Sequence, residues 1–527
     1  MKKEDLIAPL QYNLTSEVEK FNKSSEKVAL KWENEHGDKK EITYQNLLKA
    51  TNKFGNAFLD AGLKKGDTLL VIVPRLIEAY QVYLAALKAG MVVIPSSEML
   101  KAKDLQYRIN HGNVKGIVCY ESFVNEFDHI AEAEHLIKFS VGQSKDGWLF
   151  LDELAEVSSD ELEAANTTRD DMAFLAYTSG TTGNPKGVVH THGWAYAHLQ
   201  TAASNWLCIE ENDIVWATAA PGWQKWIWSP FLSVLGMGAT GYVYNGKFNP
   251  EKYLSLLDEN QINVLCCTPT EYRLMAKVDD LSHYKLEHLH SAVSAGEPLN
   301  EEVIDTFRKH FNITVRDGYG QTENTLLIGI TKGMEVRIGS MGKPTPGNTV
   351  DIVNEDGEVC DVGEVGDIAV HVSSPALFKE YLNDSERTAK QFRGEYYITG
   401  DQAKKDEDGY FWFEGRSDDI IISSGYTIGP FEVEDALVKH QAVKECAVVA
   451  WPDEIRGSIV KAYVVLRNGY DQNNHQLIPV LQEHVKQLTA PYKYPRAIEF
   501  LDELPKTISG KIRRVELRNK KESSASK

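Results

Sequence analysis

The sequence is poor in cysteine, and the few it has are not spaced as metal ligands. Six cysteines occur among 527 residues, and none of them form a CxxC pair. That usage argues against a metal cluster or a disulfide framework, and it favours buried, unreactive thiols in a reduced, cytoplasmic setting. The cysteines are Cys119, Cys208, Cys266, Cys267, Cys360 and Cys446.

Positive charge is also in deficit. The chain has 57 Lys and Arg residues against 76 Asp and Glu residues, a formal net charge of -19. Such a surface repels a polyphosphate backbone, which excludes nucleic acid as an expected partner. A small anionic ligand can still bind wherever cations and backbone amides are concentrated locally.

Long apolar runs are missing as well. The first twenty residues contain no apolar core of the kind that signal peptides have. The most apolar stretch, Tyr80–Pro95, is interrupted by Lys88 and Gly90, so it predicts a helix followed by a strand rather than a membrane span. We therefore expect no membrane insertion.

What is present is an alternation of helix-like and strand-like segments. Helical spacing of apolar residues over Tyr44–Ala61 is followed by a short apolar run at Asp67–Pro74, then by a helix at Glu78–Ala89 and a strand at Met91–Ile94. This rhythm predicts α/β layers with largely parallel strands. With 42% hydrophobic residues, a chain of this length should form two or more domains.

The pattern changes after about Gly339. Short strand candidates split by Gly, Pro and Asn or Asp turns predict a small β-barrel or β-rich subdomain. Beyond Gly415–Asp419 a smaller α/β pattern returns, with a helix expected at Leu477–Leu488. The predicted fold class is α/β: a large N-terminal part of two α/β layered subdomains plus a small β-barrel subdomain, and then a small α+β C-terminal part.

The strongest local motif is YTSGTTGNPKGV, residues 177–188, which follows a predicted strand at Met172–Ala176. Glycines permit a loop whose amides converge on an anion, and Lys186 adds a point charge. A flexible surface turn is the alternative, but the Pro-Lys-Gly ending and an expected helix start favour phosphate binding. The candidate phosphate-binding residues are Thr178, Ser179, Gly180, Thr181, Thr182, Gly183, Asn184, Pro185 and Lys186.

A second glycine motif, GMGATG at 236–241, matches the dinucleotide-binding spacing. That spacing needs a preceding strand and a following helix. Here a helix end at Phe231–Leu235 precedes it and a strand at Tyr242–Tyr244 follows, so we interpret it as a helix-to-strand turn.

Four further segments follow the glycine-rich loop in order: SAGEPL at 294–299, DGYGQTE at 317–323, YITGD at 397–401 with GRSDDIIISSGYTIGPFEVE at 415–434, and PKTISGK at 505–511. Taken singly, Glu297 and Glu323 could be exposed loop acids, Asp401 a turn residue and Arg416 a surface partner of Asp418. Taken together, the motifs resemble those of the adenylate-forming (AMP-forming) acyl-CoA synthetase family, in its acetyl- and medium-chain branch. The resemblance covers nearly the whole chain.

This resemblance implies ATP, coenzyme A and Mg²⁺ as ligands, and it assigns residues to the nucleotide. The glycine-rich loop would hold the phosphates, Asp401 the ribose hydroxyls with Arg416 nearby, and Glu323 the Mg²⁺ ion. Adenine would be lined by Gly296, Glu297 and Pro298. The nucleotide site would be completed by Asp317, Gly318, Tyr319, Gly320, Gln321 and Thr322.

The resemblance also implies two conformations. Lys511 would neutralise the substrate carboxylate and the α-phosphate during adenylation. The mobile C-terminal domain, 418–527, would then rotate on 1–417 about a hinge at Asp418 so that coenzyme A can react. The pantetheine arm would contact Ser424, Gly425 and Tyr426, although Thr427 stands where relatives carry Arg. In relatives the lysine matching Lys511 is acetylated, which makes an acetyltransferase and a deacetylase candidate partners.

Substrate choice depends on the acyl pocket. Acetate-specific relatives place a Trp at the position of Gly320, so its absence predicts room for a short-to-medium-chain, branched or aromatic carboxylate. Trp223, Trp226 and Trp228 could wall this pocket or be ordinary packing. Two other functions stay open: loading of a carrier-protein pantetheine, and a catalytically silent nucleotide-binding regulator.

Overall fold

The structure is a computed structural model that describes residues 1–22, 26–178, 185–297, 299–423, 426–453, 457–473, 475–507 and 511–520. The side chains at 426, 427, 457 and 491 are outside the description. The chain divides into two compact units. The first unit is Met1–Val350 with Val370–Glu395, and the second is Asp351–Ala369 with Tyr396–Lys527.

The strands, in chain order, are β1 Val28–Asn34, β2 Lys39–Thr43, β3 Thr68–Ile72, β4 Val92–Pro95, β5 Val114–Tyr120, β6 Ile137–Val141, β7 Leu149–Phe150, β8 Met172–Thr178, β9 Lys186–Thr191, β10 Ile214–Ala217, β11 Thr240–Asn245, β12 Val264–Cys267, β13 Ser291–Ala295, β14 Val315–Gly320, β15 Leu326–Gly329, β16 Ser340–Pro344, β17 Val350–Val353, β18 Val365–His371, β19 Glu380–Tyr381, β20 Phe392–Arg393, β21 Tyr396–Lys405, β22 Phe411–Arg416, β23 Ile421–Ser423, β24 Tyr426–Ile428, β25 Val443–Asp453, β26 Gly457–Leu466 and β27 Ala497–Phe500.

The α-helices are α1 Ser16–Glu19, α2 Tyr44–Asp60, α3 Ile77–Lys88, α4 Ala102–His111, α5 Leu151–Val157, α6 His192–His198, α7 Gln224–Trp226, α8 Val234–Gly236, α9 Pro250–Glu259, α10 Pro269–Met275, α11 Glu301–Phe311, α12 Ser385–Lys390, α13 Pro430–Val438, α14 Leu477–Leu488 and α15 Arg514–Arg518. Two π-helical segments, Leu199–Leu207 and Ile227–Ser233, continue α6 and α7. Short 3-10 helices lie at Lys3–Leu6, Val124–Phe127, Ala131–His135, Leu281–His283 and Pro491–Lys493.

One sheet of the first unit is eight-stranded, in the order β19-β9-β8-β4-β3-β5-β6-β7. Its middle strands pair in parallel, and β3 and β4 are almost fully buried apolar runs, as expected for strands covered on both faces. The helix α2 begins where the Thr43 hydroxyl accepts a hydrogen bond from the Asn46 amide, and it packs against α3. The β8–β9 pair is antiparallel.

The other sheet of the first unit runs in the order β16-β15-β14-β13-β12-β10-β11-β1-β2. Every pair from β14 to β1 is parallel. The carboxyl ends of β10, β12, β13 and β14 therefore meet at one edge, which is where open parallel sheets bind ligands.

The second unit contains the strand order β17-β18-β21-β22, a hairpin of β23 and β24, and the sheet β25-β26-β27. The helix α13 packs against β25, and buried Leu437, Val448 and Ala462 belong to one apolar core. Within this unit α15 also packs against β25.

The α/β fold class predicted from the sequence is confirmed, and so are most predicted elements, including the helix at Leu477–Leu488. The GMGATG motif joins α8 to β11, in the helix-to-strand order that we inferred. In the described residues, no helix combines the length and the apolarity needed to cross a bilayer. All six cysteines are buried, as expected.

Candidate functional site

The glycine-rich loop connects two antiparallel strands. Thr178 at the end of β8 is paired with Lys186 at the start of β9. The expected helix start after this motif is wrong, because the β-branched run that follows Lys186 extends as a strand and α6 begins only at His192. Residues 179–184 lie outside the described residues, so the ligand contacts predicted for Ser179, Gly180, Thr181, Thr182, Gly183 and Asn184 stay predictions.

Lys186 and Glu323 contact the same tyrosine. The Tyr381 hydroxyl donates to Glu323 Oε1 at 2.8 Å, and it accepts from Lys186 Nζ at 3.5 Å. The Lys186 ammonium also lies 4.8 Å from the centre of the Tyr381 ring. A cation from the glycine-rich motif and a carboxylate from the DGYGQTE motif are thereby held together, as a site for a phosphate and its metal ion requires.

Tyr381 is the member of this group that sequence reasoning missed. It belongs to the two-residue strand β19, which pairs with β9 so that Tyr381 lies opposite Val188. The amide of Phe378 also donates to the Glu323 carbonyl at 2.7 Å. No periodicity or motif around Tyr381 indicates this role, because the contact joins residues far apart in the chain.

Buried aromatic side chains hydrogen-bond to the backbone on both sides of Glu323. His190 Nε2 donates to the Thr322 carbonyl at 2.6 Å, and the Trp194 indole donates to the Asn324 carbonyl at 3.1 Å. Burial lowers the pKa of His190 to about 3, so its imidazole is neutral at physiological pH. The neutral ring therefore holds the backbone of the DGYGQTE segment without adding a charge next to Glu323.

Two of the predicted nucleotide segments are neighbours in space. Because β13 pairs in parallel with β14, with Ala295 opposite Gly318, the segments that follow these strands leave the same sheet edge. Gly296 has φ +109°, which favours glycine, and the space where a side chain would project is open. Glu297 accepts from Arg273 at 3.0 Å, and Pro298 lies outside the described residues.

Asp317 is a buried carboxyl inside this edge. Burial raises its pKa to about 7, while the amides of Gly318 and Leu299 and the charge of Lys225 oppose the rise. The Gly318 amide donates to Asp317 Oδ1 at 2.8 Å. Lys225 itself donates to the Ala295 carbonyl at 2.6 Å, which makes it a second residue that sequence reasoning left without a role.

The residues predicted to line the acyl pocket differ in their surroundings. Trp226 is buried and packs against the rings of Tyr80, Tyr83 and Phe231, whereas Trp223 is half-buried. Trp228 is the tryptophan beside Gly320.

At Gly320 a Cβ atom would lie 2.2 Å from the Thr325 carbonyl oxygen and 3.1 Å from the tip of the Trp228 ring. The position therefore accepts no side chain without a backbone shift. The space next to it is bounded by Trp228.

The predicted ribose and arginine positions belong to the second unit. Asp401 on β21 lies opposite Arg416 on β22 in an antiparallel pair. Asp401 is buried, whereas the Arg416 side chain is exposed and its Nε donates to Asp418 Oδ1 at 3.2 Å. Of the predicted coenzyme A contacts, Ser424 and Gly425 lie outside the described residues, and Tyr426 is described only as the backbone of β24.

Lys511 is exposed, and two hydrogen bonds join it to Thr507. Its carbonyl accepts from the Thr507 amide at 2.7 Å, and its amide donates to the Thr507 hydroxyl at 3.1 Å. A backbone bridge also pairs Lys506 with Ile512. Lys511 lies three residues before α15.

The carboxylate chemistry fits Mg²⁺ bound between protein and substrate. Tyr381 occupies one oxygen of Glu323, and the other carboxylate oxygen can bind a metal ion. Across the described residues, no cluster of three or more His, Cys, Asp or Glu side chains could form an all-protein metal cage. Mg²⁺ commonly takes one or two carboxylates together with substrate phosphates and water, and Glu323 suits that arrangement.

Two family profiles match the chain. The one described as "AMP-binding enzyme" matches residues 18–382, and the one described as "AMP-binding enzyme C-terminal domain" matches residues 432–511. The chain is 66% identical over 522 residues to the uncharacterized acyl–CoA ligase YtcI of Bacillus subtilis (strain 168), which covers 99% of this chain and 98% of that protein. It is 42% identical over 512 residues to the mitochondrial acyl-coenzyme A synthetase ACSM3 of Mus musculus, with 95% and 88% covered.

Solved structures are similar over almost the whole length. An anthranilate CoA ligase, AuaEII, in complex with anthranoyl-AMP has a TM-score of 0.91 at 29% identity, covering 98% of each chain. ATP-bound MatB from Rhodopseudomonas palustris has a TM-score of 0.86 at 27% identity, covering 97% of this chain and 99% of the other.

Proposed function

Since this chain belongs to the AMP-binding enzyme family and is an AMP-forming acyl-CoA synthetase, we propose how its residues divide the reaction and which acids it uses. The enzyme makes acyl-CoA with ATP through an acyl adenylate. Both reactants of the first step, a carboxylate and the ATP phosphates, are anionic. Catalysis must therefore consist mostly of positioning and charge neutralisation.

Lys186, Tyr381 and Glu323 form the phosphate end of the site. The single observation that supports this is the hydroxyl of Tyr381, which contacts Glu323 Oε1 at 2.8 Å and Lys186 Nζ at 3.5 Å. Glu323 would hold Mg²⁺, and Lys186 supplies a fixed positive charge. When bound, Mg²⁺ offsets negative charge as pyrophosphate leaves.

Replacing Glu323 tests this assignment. Glu323→Gln keeps the size of the side chain but removes its charge, so we expect ATP–pyrophosphate exchange to fall roughly a hundredfold. A titration of Mg²⁺ should show a higher concentration for half-maximal exchange. Exchange with unchanged rate and unchanged Mg²⁺ dependence would contradict the role of Glu323.

Lys511 serves the first half-reaction only. It neutralises the substrate carboxylate and the α-phosphate, and a rotation about Asp418 then removes it. The thiol of coenzyme A, held by residues 424–426, then attacks the acyl carbonyl, and AMP leaves as the acyl–phosphate bond breaks. Acetylation of Lys511 by a partner enzyme would remove the charge that adenylation needs. Asp401 and Arg416 hold the ribose side of the nucleotide.

The acid is a short-to-medium-chain, branched or aromatic carboxylate rather than acetate. Gly320 supports this, because it has no side chain like the tryptophan that closes the pocket in acetate-specific relatives, and Trp228 instead bounds the space beside it. The structurally similar AuaEII, an anthranilate CoA ligase in complex with anthranoyl-AMP, uses an aromatic acid. Each methylene buried in such a pocket contributes about 0.8 kcal/mol. Trp228 and Trp223 are the candidate walls, and Trp226 supports them from the core.

A panel of acids tests the substrate. Thioester formation should give a higher kcat/KM for butyrate, hexanoate, isobutyrate or benzoate than for acetate, and a preference for acetate would contradict the proposal. The same panel with free coenzyme A and with a holo carrier protein as acceptors separates a CoA ligase from a carrier-loading enzyme. We expect free coenzyme A to be the better acceptor.

A further inference from the structure

Asp418 lies between two residues that are anchored to different parts of the second unit. On its N-terminal side, the Ser417 amide donates to the Gly400 carbonyl of β21 at 2.9 Å. On its C-terminal side, the buried Asp419 carboxylate accepts from Arg518 Nη1 at 2.6 Å. Ser417 is thus fixed to the β21 ribbon and Asp419 to α15.

The carbonyl of Asp418 is held from the same side as Asp419. Arg518 Nη1 also donates to that carbonyl oxygen, so the whole peptide plane between Asp418 and Asp419 is attached to α15. A planar peptide moves as one body. A rotation of the backbone at Asp418 is therefore confined to the φ and ψ torsions of this residue. Such a rotation would break the hydrogen bond that the Asp419 amide donates to the Arg416 carbonyl.

The helix α15 is itself locked to its surroundings by a second arginine. Arg514 donates two bonds of 2.8 Å to the two oxygens of Glu434 on α13, and Glu434 Oε1 also accepts from the Val448 amide of β25 at 2.7 Å. Glu434 is 9% exposed and Asp419 is 7% exposed. Buried carboxylates are costly without a partner. Arg514 is the partner of Glu434, whereas Asp419 is paired with Arg518 at 2.6 Å and more weakly with Arg514 at 3.9 Å.

The helix α15 begins three residues after Lys511, and the Lys511 backbone is hydrogen-bonded to Thr507. The connection from Asp418 to Lys511 thus passes through Asp419, Arg518 and a short stretch of helix. The hydrogen bonds along this path leave few backbone torsions that could change instead of moving Lys511.

We propose that Arg518 and Arg514 are positioning residues of the ligase, which fix the backbone after Asp418 to the helix next to Lys511 so that rotation at Asp418 moves the Lys511 ammonium. The inference rests on the proposed roles of Lys511 and Asp418. Neither arginine is proposed to contact a substrate. Both act through Lys511.

The test measures the two half-reactions separately in the full-length enzyme. Arg518→Ala should lower ATP–pyrophosphate exchange about tenfold, while thioester formation from supplied acyl-AMP and coenzyme A stays within about twofold of the unchanged enzyme. Arg513→Ala is the matched control, because Arg513 is a neighbouring arginine whose partner is Glu516 on the same helix, at the surface. That variant should leave both half-reactions unchanged.

A double variant separates positioning from general loss of structure. If Arg518 acts through Lys511, then Lys511→Ala with Arg518→Ala should be no slower in exchange than Lys511→Ala alone. Equal losses in both half-reactions, or losses that multiply, would overturn the inference. Where Arg518→Ala lowers the melting temperature strongly, Arg518→Lys and Asp419→Asn supply the same comparison, and both should lower exchange more than thioester formation.

A different result would contradict the proposed role of Lys511 itself. If Lys511→Ala retains full exchange, the role assigned to Lys511 is wrong whatever the arginine variants do. If Lys511→Ala abolishes exchange and Arg518→Ala leaves it intact, only the positioning inference is wrong.

Discussion

The two units hold their charged side chains in different ways. In the first unit, Lys186 and Glu323 contact one tyrosine hydroxyl, and the backbone beside Glu323 is fixed by buried His190 and Trp194. In the second unit, the Lys511 side chain is exposed, and buried ion pairs hold the neighbouring helix α15. The first arrangement suits charges that stay in place through a reaction. The second suits our proposal that Lys511 is carried to and from the reaction.

The largest expected effect comes from removing the charge that moves. Lys511→Ala should lower ATP–pyrophosphate exchange roughly a thousandfold, because one charge pair at about 4 Å contributes roughly 4 kcal/mol at an effective dielectric near 20. Conversion of supplied acyl-AMP to thioester should be retained. If both half-reactions fall equally, the contrast between a fixed and a carried charge does not hold.

The next effect concerns the buried acid of the first unit. Because burial raises the pKa of Asp317 to about 7, the folded protein binds a proton there that the unfolded chain, with an ordinary pKa near 3.8, releases. The stability from this group is present at low pH and is lost as the pH rises towards 7, by about 1.4 kcal/mol per pH unit.

Asp317→Asn removes that dependence. Urea unfolding gives the free energy of unfolding at pH 5 and at pH 8. The difference between the variant and the unchanged protein should be about 2–3 kcal/mol more favourable to the variant at pH 8 than at pH 5. A constant difference between the two proteins would show that Asp317 keeps its ordinary pKa. The same measurement on Asp401→Asn is a control in the second unit.

The smallest effect is expected at the tyrosine that joins the fixed charges. Tyr381→Phe removes a hydrogen bond to a carboxylate, for which about 1.5 kcal/mol is the lower end of the usual range, and should lower kcat/KM for ATP about tenfold. Tyr242→Phe is the matched control, because its hydroxyl donates to Glu33 at 2.8 Å in another part of the same unit. Equal effects of the two variants would indicate a loss of stability rather than a change in the site.

Local sequence patterns predicted part of the candidate site. The YTSGTTGNPKGV and DGYGQTE strings identify Lys186 and Glu323 as chemistry-bearing residues, and helix α14 was predicted with its observed ends. The prediction of a helix after Lys186 was wrong, because the pairing of β9 with both β8 and β19 makes that segment a strand. Local periodicity carries no information about such partners.

The sequence by itself determined the α/β class, the order of the motifs and the family, because periodic burial and motif spacing depend on residues close together in the chain. Only the tertiary structure placed Tyr381 between Lys186 and Glu323, raised the pKa of Asp317 and set Trp228 against Gly320. These features depend on segments that are distant in sequence. Their contacts and their exclusion of water arise only when the sheets are assembled.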